Sequence, residues 1–467
     1  MPTPPAQDGE AHGSPNSPRR RKRRSRRERK EEEKRRNTEA PTPAPSPPHA
    51  LRPASSGDED RSAQVQHLVA QRLRKMLAVD AERKKEAAEF LRNIVEEGTL
   101  TMESEFGDCD DGSTESVEAR KIALTVSQSI VCLSTYAGGK RIRVGSGFVM
   151  RWNDSSDRHM IITAATLVRS IDGENTVVPD LMVKVLLPNG NITDGHIFLV
   201  DFHYNVAVVE VASDTKLINV SVAKDIVTRG DVLALGRAYE GGNLMCSHGR
   251  IVHQTSTFGC SELLSSCCKI TMLGAGGPLV NYSGHVVGIN FYEKNQTPYL
   301  SIAIVLRILD HYHSFGKIIR PWLGLSYNSL ETVPLRVLEH IYQKFPDVDK
   351  GLYVSNVAEG SPADVAGLCA GDVLVKCEGK ILSTTPEFGA ALLDTCKEFA
   401  ETHDWKSSEH YTGKNISVEV VIKRQRDGCT MSKSISADVM KECHCNRWPA
   451  PMPRYQPHCI NFTRCRG

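Results

Sequence analysis

Histidine and cysteine side chains are the residues of this sequence best suited to nucleophilic chemistry. A Cys/His pair can attack a carbonyl carbon when the imidazole removes the thiol proton. His159, His203 and the adjacent thiols Cys267 and Cys268 are the candidates within the long β-rich part of the chain. Such a pair has to be established by geometry. We interpret the two thiols as buried structural groups and His203 as a surface residue on a turn.

A second group of thiols and imidazoles lies in residues 441–467, a tail rich in Cys, His and Pro. Zinc is bound by such ligands in tetrahedral sites. Cys443-His444-Cys445 is followed by a proline-rich spacer before His458-Cys459, which is not a standard ligand spacing. We therefore predict a tail that lies on the surface of a domain, with no metal and no cofactor. Zinc binding is the alternative.

Four motifs in the middle of the chain are more specific. They lie among short β-branched runs separated by turn signals, a pattern that predicts an all-β sandwich or barrel rather than a parallel sheet. In chain order the motifs are Gly145-Ser146-Gly147-Phe148-Val149, Thr163-Ala164-Ala165-Thr166-Leu167, Tyr204-Asn205-Val206-Ala207-Val208-Val209 and Gly274-Ala275-Gly276-Gly277-Pro278-Leu279-Val280.

The order and spacing of these motifs resemble the trypsin-like domain of the HtrA/Deg serine protease family. The resemblance covers residues 119–437, because a PDZ-like unit follows the motifs as it does in that family. It implies a mainly β fold. We expect a trypsin-like double β-barrel over residues 119–318 and a PDZ-like α+β domain over residues 319–440.

All three positions that the resemblance assigns to the catalytic triad differ from the family. Thr166 stands in place of the histidine, Asn205 in place of the aspartate and Ala275 in place of the serine. A methyl group cannot attack a carbonyl, and threonine has no titratable group near neutral pH with which to act as a general base. A neutral amide would not stabilise an imidazolium. We therefore predict that the family mechanism does not operate.

The oxyanion loop, Leu273-Gly274-Ala275, also departs from the family. A glycine is expected two residues before the nucleophile, and Leu273 occupies that position. Glycine readily adopts the left-handed backbone conformation that is often needed there, whereas leucine does not. The loop is therefore not expected to present its N–H groups as an active protease does.

The PDZ-like unit keeps more of its pattern. The segment Trp322-Leu323-Gly324-Leu325 resembles the loop whose N–H groups bind the C-terminal carboxylate of a peptide, which then adds as a strand to the sheet edge. Gly360-Ser361-Pro362-Ala363 and Gly371-Asp372-Val373-Leu374 match the middle of such domains. The resemblance implies that extended peptides or protein C-termini bind at residues 322–325. A domain that only packs against the barrel, with its groove closed, is the alternative.

The first 60 residues form a basic arm that is expected to be disordered, because it has few apolar side chains. Residues 19–36 hold 13 Lys/Arg and 4 Asp/Glu, a local charge of +9 in a chain whose net charge is +2. This density predicts a nuclear-import signal, with nucleic-acid contact or a solvated charged tail as alternatives. The signal comprises Arg19, Arg20, Arg21, Lys22, Arg23 and Arg24.

Two further segments precede the barrel. Residues 61–98 carry apolar side chains at three- and four-residue steps, which predicts an amphipathic helix, and residues 99–118 are predicted to be an acidic linker. No run approaches the roughly 18 apolar residues of a membrane-spanning helix. The N-terminus lacks the apolar segment that a secretory signal peptide requires. We expect a nuclear protein, or alternatively a cytoplasmic one, without membrane contact and with most of its 14 cysteines reduced.

These observations predict a catalytically inactive HtrA/Deg-like pseudoprotease that acts as a peptide- or protein-binding scaffold. In a homo- or hetero-oligomer it could also regulate active relatives. Two alternatives are retained. One is an active serine endopeptidase of the same type, and the other is a nucleic-acid-associated protein that acts through the basic arm.

Overall fold

The computed structural model describes residues 106–107, 114–151, 159–170, 175–212, 217–403, 415–441, 444–446 and 448. The basic arm, its import signal and the predicted amphipathic helix 61–98 lie outside the described residues. Among the described residues, no helix is long and apolar enough to cross a membrane.

The first barrel is a closed ring of six antiparallel strands in the order β1-β2-β3-β6-β5-β4. Alternate side chains of its strands enter two different cores, since Val131 and Val209 lie inside the ring while Ile130 and Val208 join the core shared with the second barrel. Burial on both faces explains the continuous apolar runs of the sequence. The strands are β1 (Ile130–Ala137), β2 (Lys140–Met150), β3 (His159–Ala164), β4 (Met182–Leu186), β5 (Ile192–Asp201) and β6 (Val206–Val211).

The second barrel follows in the order β11-β8-β9-β10-β13-β12, and pairing of β11 with β12 closes it. A short strand, β7, joins it in parallel to β12. The mainly β double-barrel prediction is confirmed. The strands are β7 (Ser221–Val222), β8 (Asp231–Arg237), β9 (Leu244–Val252), β10 (Leu264–Ser266), β11 (Pro278–Asn281), β12 (His285–Asn290) and β13 (Thr297–Ser301).

The third sheet belongs to the PDZ-like domain and has the order β14-β20-β19-β17-β16-β15, with β18 paired to β17. β15 is thus a strand at the edge of the sheet. The strands are β14 (Pro321–Trp322), β15 (Leu325–Ser329), β16 (Leu352–Val357), β17 (Asp372–Cys377), β18 (Lys380–Ile381), β19 (Ile416–Arg424) and β20 (Cys429–Val439).

Five α-helices occur in the described ranges: α1 (Thr114–Val126), α2 (Ile302–Phe315), α3 (Leu335–Lys344), α4 (Pro362–Val365) and α5 (Thr385–Thr402). α1 begins inside the segment predicted as an acidic linker. The helix forms because its apolar residues are spaced by three and four positions. Ala119, Ala123 and Val126 therefore lie on one side and are buried in the barrel core, while Glu115 and Glu118 stay exposed.

The barrels and the PDZ-like domain share a buried contact built largely from α2 and α5. Arg307 on α2 donates from Nε to Asp394 Oδ1 of α5 at 2.7 Å, and Lys397 reaches Asp310 at 2.6 Å. A third, more deeply buried ion pair joins Arg320 to Asp201 at the end of β5. The domains are therefore held in one arrangement by charge pairs as well as by apolar packing.

His311 on α2 makes this junction sensitive to acid. Burial lowers the pKa of His311 from 6.5 to about 4, and its Nε2 lies 2.9 Å from the Leu393 carbonyl oxygen on α5. The unfolded chain takes up a proton below about pH 6.5, whereas the folded chain does so only near pH 4. Protons therefore favour the unfolded chain, and we expect His311 to lower the free energy of unfolding by up to about 3 kcal/mol as the pH falls through that range.

Urea unfolding between pH 7 and pH 4 measures this effect, with a chain carrying His311→Gln as the comparison, since the amide keeps a donor for Leu393. His203, whose pKa burial also lowers, contributes equally to both chains. The difference between the two pH profiles therefore isolates His311. Parallel profiles would show that His311 does not titrate in this window.

Candidate functional site

Thr166 and Asn205, two of the positions that the resemblance assigns to the triad, form a hydrogen-bonded pair. The Thr166 hydroxyl oxygen lies 2.8 Å from Asn205 Nδ2 and 3.0 Å from Asn205 Oδ1. Thr166 is in a short 3-10 turn after β3, and Asn205 is a buried turn residue before β6 with φ +56°. The backbone holds the two turns together, because Ala165 N–H donates to the Asn205 carbonyl at 2.9 Å.

Ala275 is on a loop that is pressed against the end of β3. A Cβ atom on the next residue, Gly276, would lie 2.5 Å from both Thr163 Oγ1 and the Ser146 carbonyl oxygen, and Gly276 has φ +84°. This position thus requires glycine. The fold therefore brings the Ala275 loop to the strand that leads into the Thr166 turn, as a triad would require.

The side chains of Thr166 and Asn205 form an uncharged pair, and Ala275 presents only a methyl group. In a Ser-His-Asp triad the corresponding contact joins an imidazole to a carboxylate. Neither partner can hold a proton taken from a nucleophile near neutral pH. The pair supports the architecture of the two turns, and it supplies no general base.

The oxyanion loop turns its main donor inwards. Residues Met272–Gly274 form a 3-10 turn, in which Ala275 N–H donates to the Met272 carbonyl at 3.1 Å. The Leu273 side chain is buried, and its carbonyl accepts a hydrogen bond from Ser146 Oγ at 2.5 Å. Leu273 is not among the residues with positive φ. In this backbone conformation the Ala275 N–H is directed to an acceptor within the loop itself.

His203 is buried, so the expectation of a surface histidine is wrong. It is 6% exposed, and its Nδ1 accepts a hydrogen bond from the backbone N–H of Asn446 at 3.2 Å. Burial and the nearby Arg320 guanidinium hold its pKa well below the usual value. Cys268 is buried as expected, but the expectation of a buried thiol is wrong for Cys267, which is exposed and accepts from the Arg250 N–H at 3.2 Å. The imidazole and the Cys267 thiol have different partners, which gives no support to a relocated Cys/His pair.

The loop at residues 322–325 has the backbone of an anion cradle. The carbonyls of Leu323 and Gly324 accept from Ala363 and Ala358 at 3.1 and 2.8 Å, so they face the domain interior. No acceptor for the N–H groups of Leu323 and Gly324 is found among the described residues. Successive unoccupied N–H groups of this kind can bind a carboxylate.

The groove that continues from this loop is covered by the barrel at its inner part. Tyr327 of β15 packs edge-on against Phe388 of α5, with ring centroids 5.0 Å apart. Its hydroxyl donates to Glu262 Oε1 of the barrel at 2.9 Å, and Tyr204 donates to the same oxygen at 3.4 Å. Glu262 was missed in the sequence, where a single glutamate between two short strands carries no signal.

The tail also contacts the residues predicted to bind peptide. The ring of Trp322 stacks on His444, with centroids 4.0 Å apart and planes inclined by 7°. Within the described residues no group of three or more His, Cys, Asp or Glu side chains could hold a metal ion. Most of the Cys/His tail, including Cys443, His458, Cys459 and Cys465, lies outside the described residues.

Comparison with known proteins supports both halves of this architecture. Family models for the trypsin-like peptidase domain and the PDZ domain match residues 145–289 and 353–398 respectively. Human serine protease HTRA4 is 29% identical over 323 residues, which cover 62% of this chain and 64% of that protein. The chain thus has a trypsin-like peptidase domain and a PDZ domain, and it is similar to HtrA-type serine proteases.

Other relatives extend the comparison. The serine protease Do-like HtrA of Bacillus subtilis is 28% identical over 279 residues, covering 56% of this chain and 58% of that protein. The putative protease Do-like 14 of Arabidopsis thaliana is 30% identical over 214 residues, covering 42% and 49%. A crystal structure of the serine endoprotease from Yersinia pestis aligns with 20% identity and a TM-score of 0.39, covering 69% of this chain and 98% of that chain. The chain spans between 49% and 64% of the lengths of these three curated relatives.

Proposed function

We propose that this HtrA-like chain is catalytically inactive and acts as a scaffold that binds extended peptides or protein C-termini without cutting them. The observation that carries the proposal is the hydrogen bond between Thr166 and Asn205. Threonine, asparagine and alanine at these three positions offer neither a strong nucleophile nor a general base, which supports the proposal.

The peptide-binding part of the proposal rests on the PDZ-like domain. The N–H groups of Leu323 and Gly324 can bind a terminal carboxylate, and β15 is an edge strand to which a peptide can add. Contact between Tyr327 and Glu262 limits how far such a peptide can extend along the groove. We therefore propose that the domain takes short C-terminal segments, and that longer ones require the barrel to move away from β15.

We expect the full-length chain to leave unfolded casein intact and to resist labelling by a fluorophosphonate. The matched variant carries Thr166→His, Asn205→Asp and Ala275→Ser, and is expected to gain slow cleavage, because loss of triad members costs several powers of ten in rate. The chain with Ala275→Ser alone has a hydroxyl but no base, so it should neither cleave casein nor react with the fluorophosphonate. Both assays are followed by gel and by mass spectrometry.

The alternative of an active endopeptidase is favoured only by the relatives, whose names describe serine proteases. Cleavage by the native chain that persists after re-purification and is blocked by a fluorophosphonate would support that alternative, whereas inhibition by a thiol reagent would indicate a cysteine nucleophile. Either result would also show that a group other than residue 275 attacks the substrate.

We further propose that Arg19 to Arg24 direct the protein to the nucleus and that the chain assembles with related proteins. A fluorescent fusion that still accumulates in the nucleus after these six residues are changed to alanine would contradict the first statement. The alternative of nucleic-acid binding predicts an affinity that falls steeply with salt and is lost with the arm. Sedimentation of the native chain alone and mixed with an active relative tests the assembly.

A further inference from the structure

The last described residue of the tail fills an aromatic slot on the barrel. Trp448 is 6% exposed, and its ring lies between Phe258 and Phe291, with ring centroids 5.2 and 4.9 Å away. The tail thus returns from the PDZ-like domain, where His444 stacks on Trp322, to the protease-like barrel.

Five hydrogen bonds hold this segment, and they involve its main chain as well as its side chains; the longest joins Asn446 Nδ2 to His203 Nε2 at 3.5 Å. The His203 carbonyl accepts from Asn446 Nδ2 at 3.1 Å and from Trp448 Nε1 at 3.0 Å. The Asn446 N–H donates to His203 Nδ1 at 3.2 Å, and Arg169 Nη1 donates to the Trp448 carbonyl at 2.7 Å. A main-chain donor, a main-chain acceptor and two side chains are therefore recognised together, as when a protein binds a peptide.

The contacted barrel residues lie beside the vestigial triad positions. His203 is two residues before Asn205, and Arg169 is three residues after Thr166. Phe291 follows Asn290, whose carbonyl accepts from the Gly276 N–H at 2.8 Å. The tail therefore contacts residues of the chain segments that carry or adjoin these positions.

The barrel forms the slot by its own hydrogen bonds. The loop that carries Phe258 is tied to Glu293, which accepts from Thr257 Oγ1 at 2.6 Å and from Ser256 Oγ at 3.2 Å. Gln296 Nε2 donates to the same carboxylate at 3.0 Å. These bonds join residues of the barrel to one another and do not involve the tail.

Arg169 gives the slot a polar requirement. Its side chain is buried, lies over the Phe202 ring at 5.5 Å and has an Nε with no hydrogen-bond partner. A buried donor that loses its acceptor is costly. The Trp448 carbonyl is thus the kind of group that this side chain needs, and the same need is met by the carbonyl of any peptide in the same position.

We infer that Phe258, Phe291, Arg169 and the His203 carbonyl form a peptide-binding site whose resident ligand is the Asn446–Trp448 segment of this chain. A separate peptide with asparagine two residues before tryptophan binds the site once the resident segment is displaced. The inference deepens the proposed scaffold function by naming a ligand on the barrel. It does not depend on the absence of catalysis.

Binding of a labelled peptide to the full-length chain tests the inference. The probe is a fluorescein-labelled peptide of residues 441–452 with Cys443→Ser and Cys445→Ser, followed by fluorescence anisotropy. A tethered ligand has a millimolar effective concentration, so the native chain is expected to bind the probe at least about tenfold more weakly than a full-length chain carrying Trp448→Ala. A probe with Trp448→Ala is expected to bind neither chain.

Two matched variants show whether the slot itself is responsible. Phe258→Ala, added to the Trp448→Ala chain, is expected to weaken probe binding at least about tenfold, because it removes one wall of the slot. Phe198→Ala serves as the control. Phe198 is also a half-buried phenylalanine in the same core with an aromatic neighbour, Tyr312 at 5.3 Å, and it should leave probe binding unchanged.

Equal probe binding by the native and the folded Trp448→Ala chains would overturn the inference, as would unfolding of the variant by circular dichroism, since Trp448 would then be an ordinary core residue. Asn446→Ala provides a second route, because it removes the two side-chain contacts to His203 without opening a cavity. It is expected to improve probe binding over the native chain, and no improvement would count against the site. Casein cleavage by the native chain would refute the proposed inactivity and leave these results standing.

Discussion

The chain with all three triad residues restored is expected to cleave at least about a hundredfold more slowly than the same chain that also carries Leu273→Gly. The reason is the oxyanion loop. Ala275 N–H donates to the Met272 carbonyl at 3.1 Å, so the N–H of a serine introduced at 275 would point away from the developing oxyanion. Removal of one such donor costs about 10²–10³ in rate in serine proteases.

Leu273 is the residue that keeps the loop in this conformation. Its side chain is buried in the same core cluster as Phe106, and its carbonyl accepts from Ser146 Oγ. Glycine at 273 would remove this anchor and would also allow the left-handed backbone that leucine disfavours. Both changes release the Ala275 N–H to face the substrate.

Leu273→Ala is the matched control in the restored chain. It leaves a similar cavity, which costs about 3–5 kcal/mol of stability, but it does not provide the backbone freedom of glycine. Initial rates of casein cleavage are measured at a temperature where thermal unfolding shows all three chains folded. If alanine and glycine at 273 raise the rate equally, the packing of the Leu273 side chain alone holds the loop in its conformation. If the restored chain already cleaves at the rate of the glycine variant, the loop is not locked.

The barrels could be predicted because their motifs carry local information. The Val206–Val211 run is buried on both faces of its strand. Such an apolar run can be identified in a sequence without knowledge of the strands that pair with it. The glycine at 276 is also part of a local motif, because its positive φ and its close approach to Ser146 leave no room for a side chain. The three positions that the resemblance assigns to the triad lie within or next to such motifs, and their catalytic assignment stays a prediction.

The contacts that decide access to the binding surfaces could not be predicted in this way. Trp448 donates to the His203 carbonyl across 245 residues of sequence, and Tyr327 donates to Glu262 across 65. His203 sits in a turn, where alternation does not indicate a direction, and the tail completes its burial. Such pairings depend on how the domains and the tail pack together, for which neither partner carries a local pattern.

Gly324→Ala is expected to disable the carboxylate loop, whereas Gly360→Ala is not. Both glycines have positive φ, +74° and +71°, so alanine costs about 1–2 kcal/mol at either position. At Gly324 the new Cβ would also lie 2.2 Å from Ser361 Cβ, while at Gly360 nothing lies within 4 Å. Overpacking of this kind adds about 1–3 kcal/mol and shifts the backbone.

Urea unfolding of the two full-length variants measures the stability difference, and peptide capture measures the loop. A random peptide pool with free C-terminal carboxylates is compared with the same pool amidated. The native chain and the Gly360→Ala chain are expected to prefer the free carboxylates, because charge-assisted hydrogen bonds to N–H groups are about twice as strong as neutral ones. The Gly324→Ala chain is expected to lose this preference. A preference that survives in the Gly324→Ala chain would place carboxylate recognition elsewhere, and its absence in the native chain would mean that the barrel keeps the groove closed.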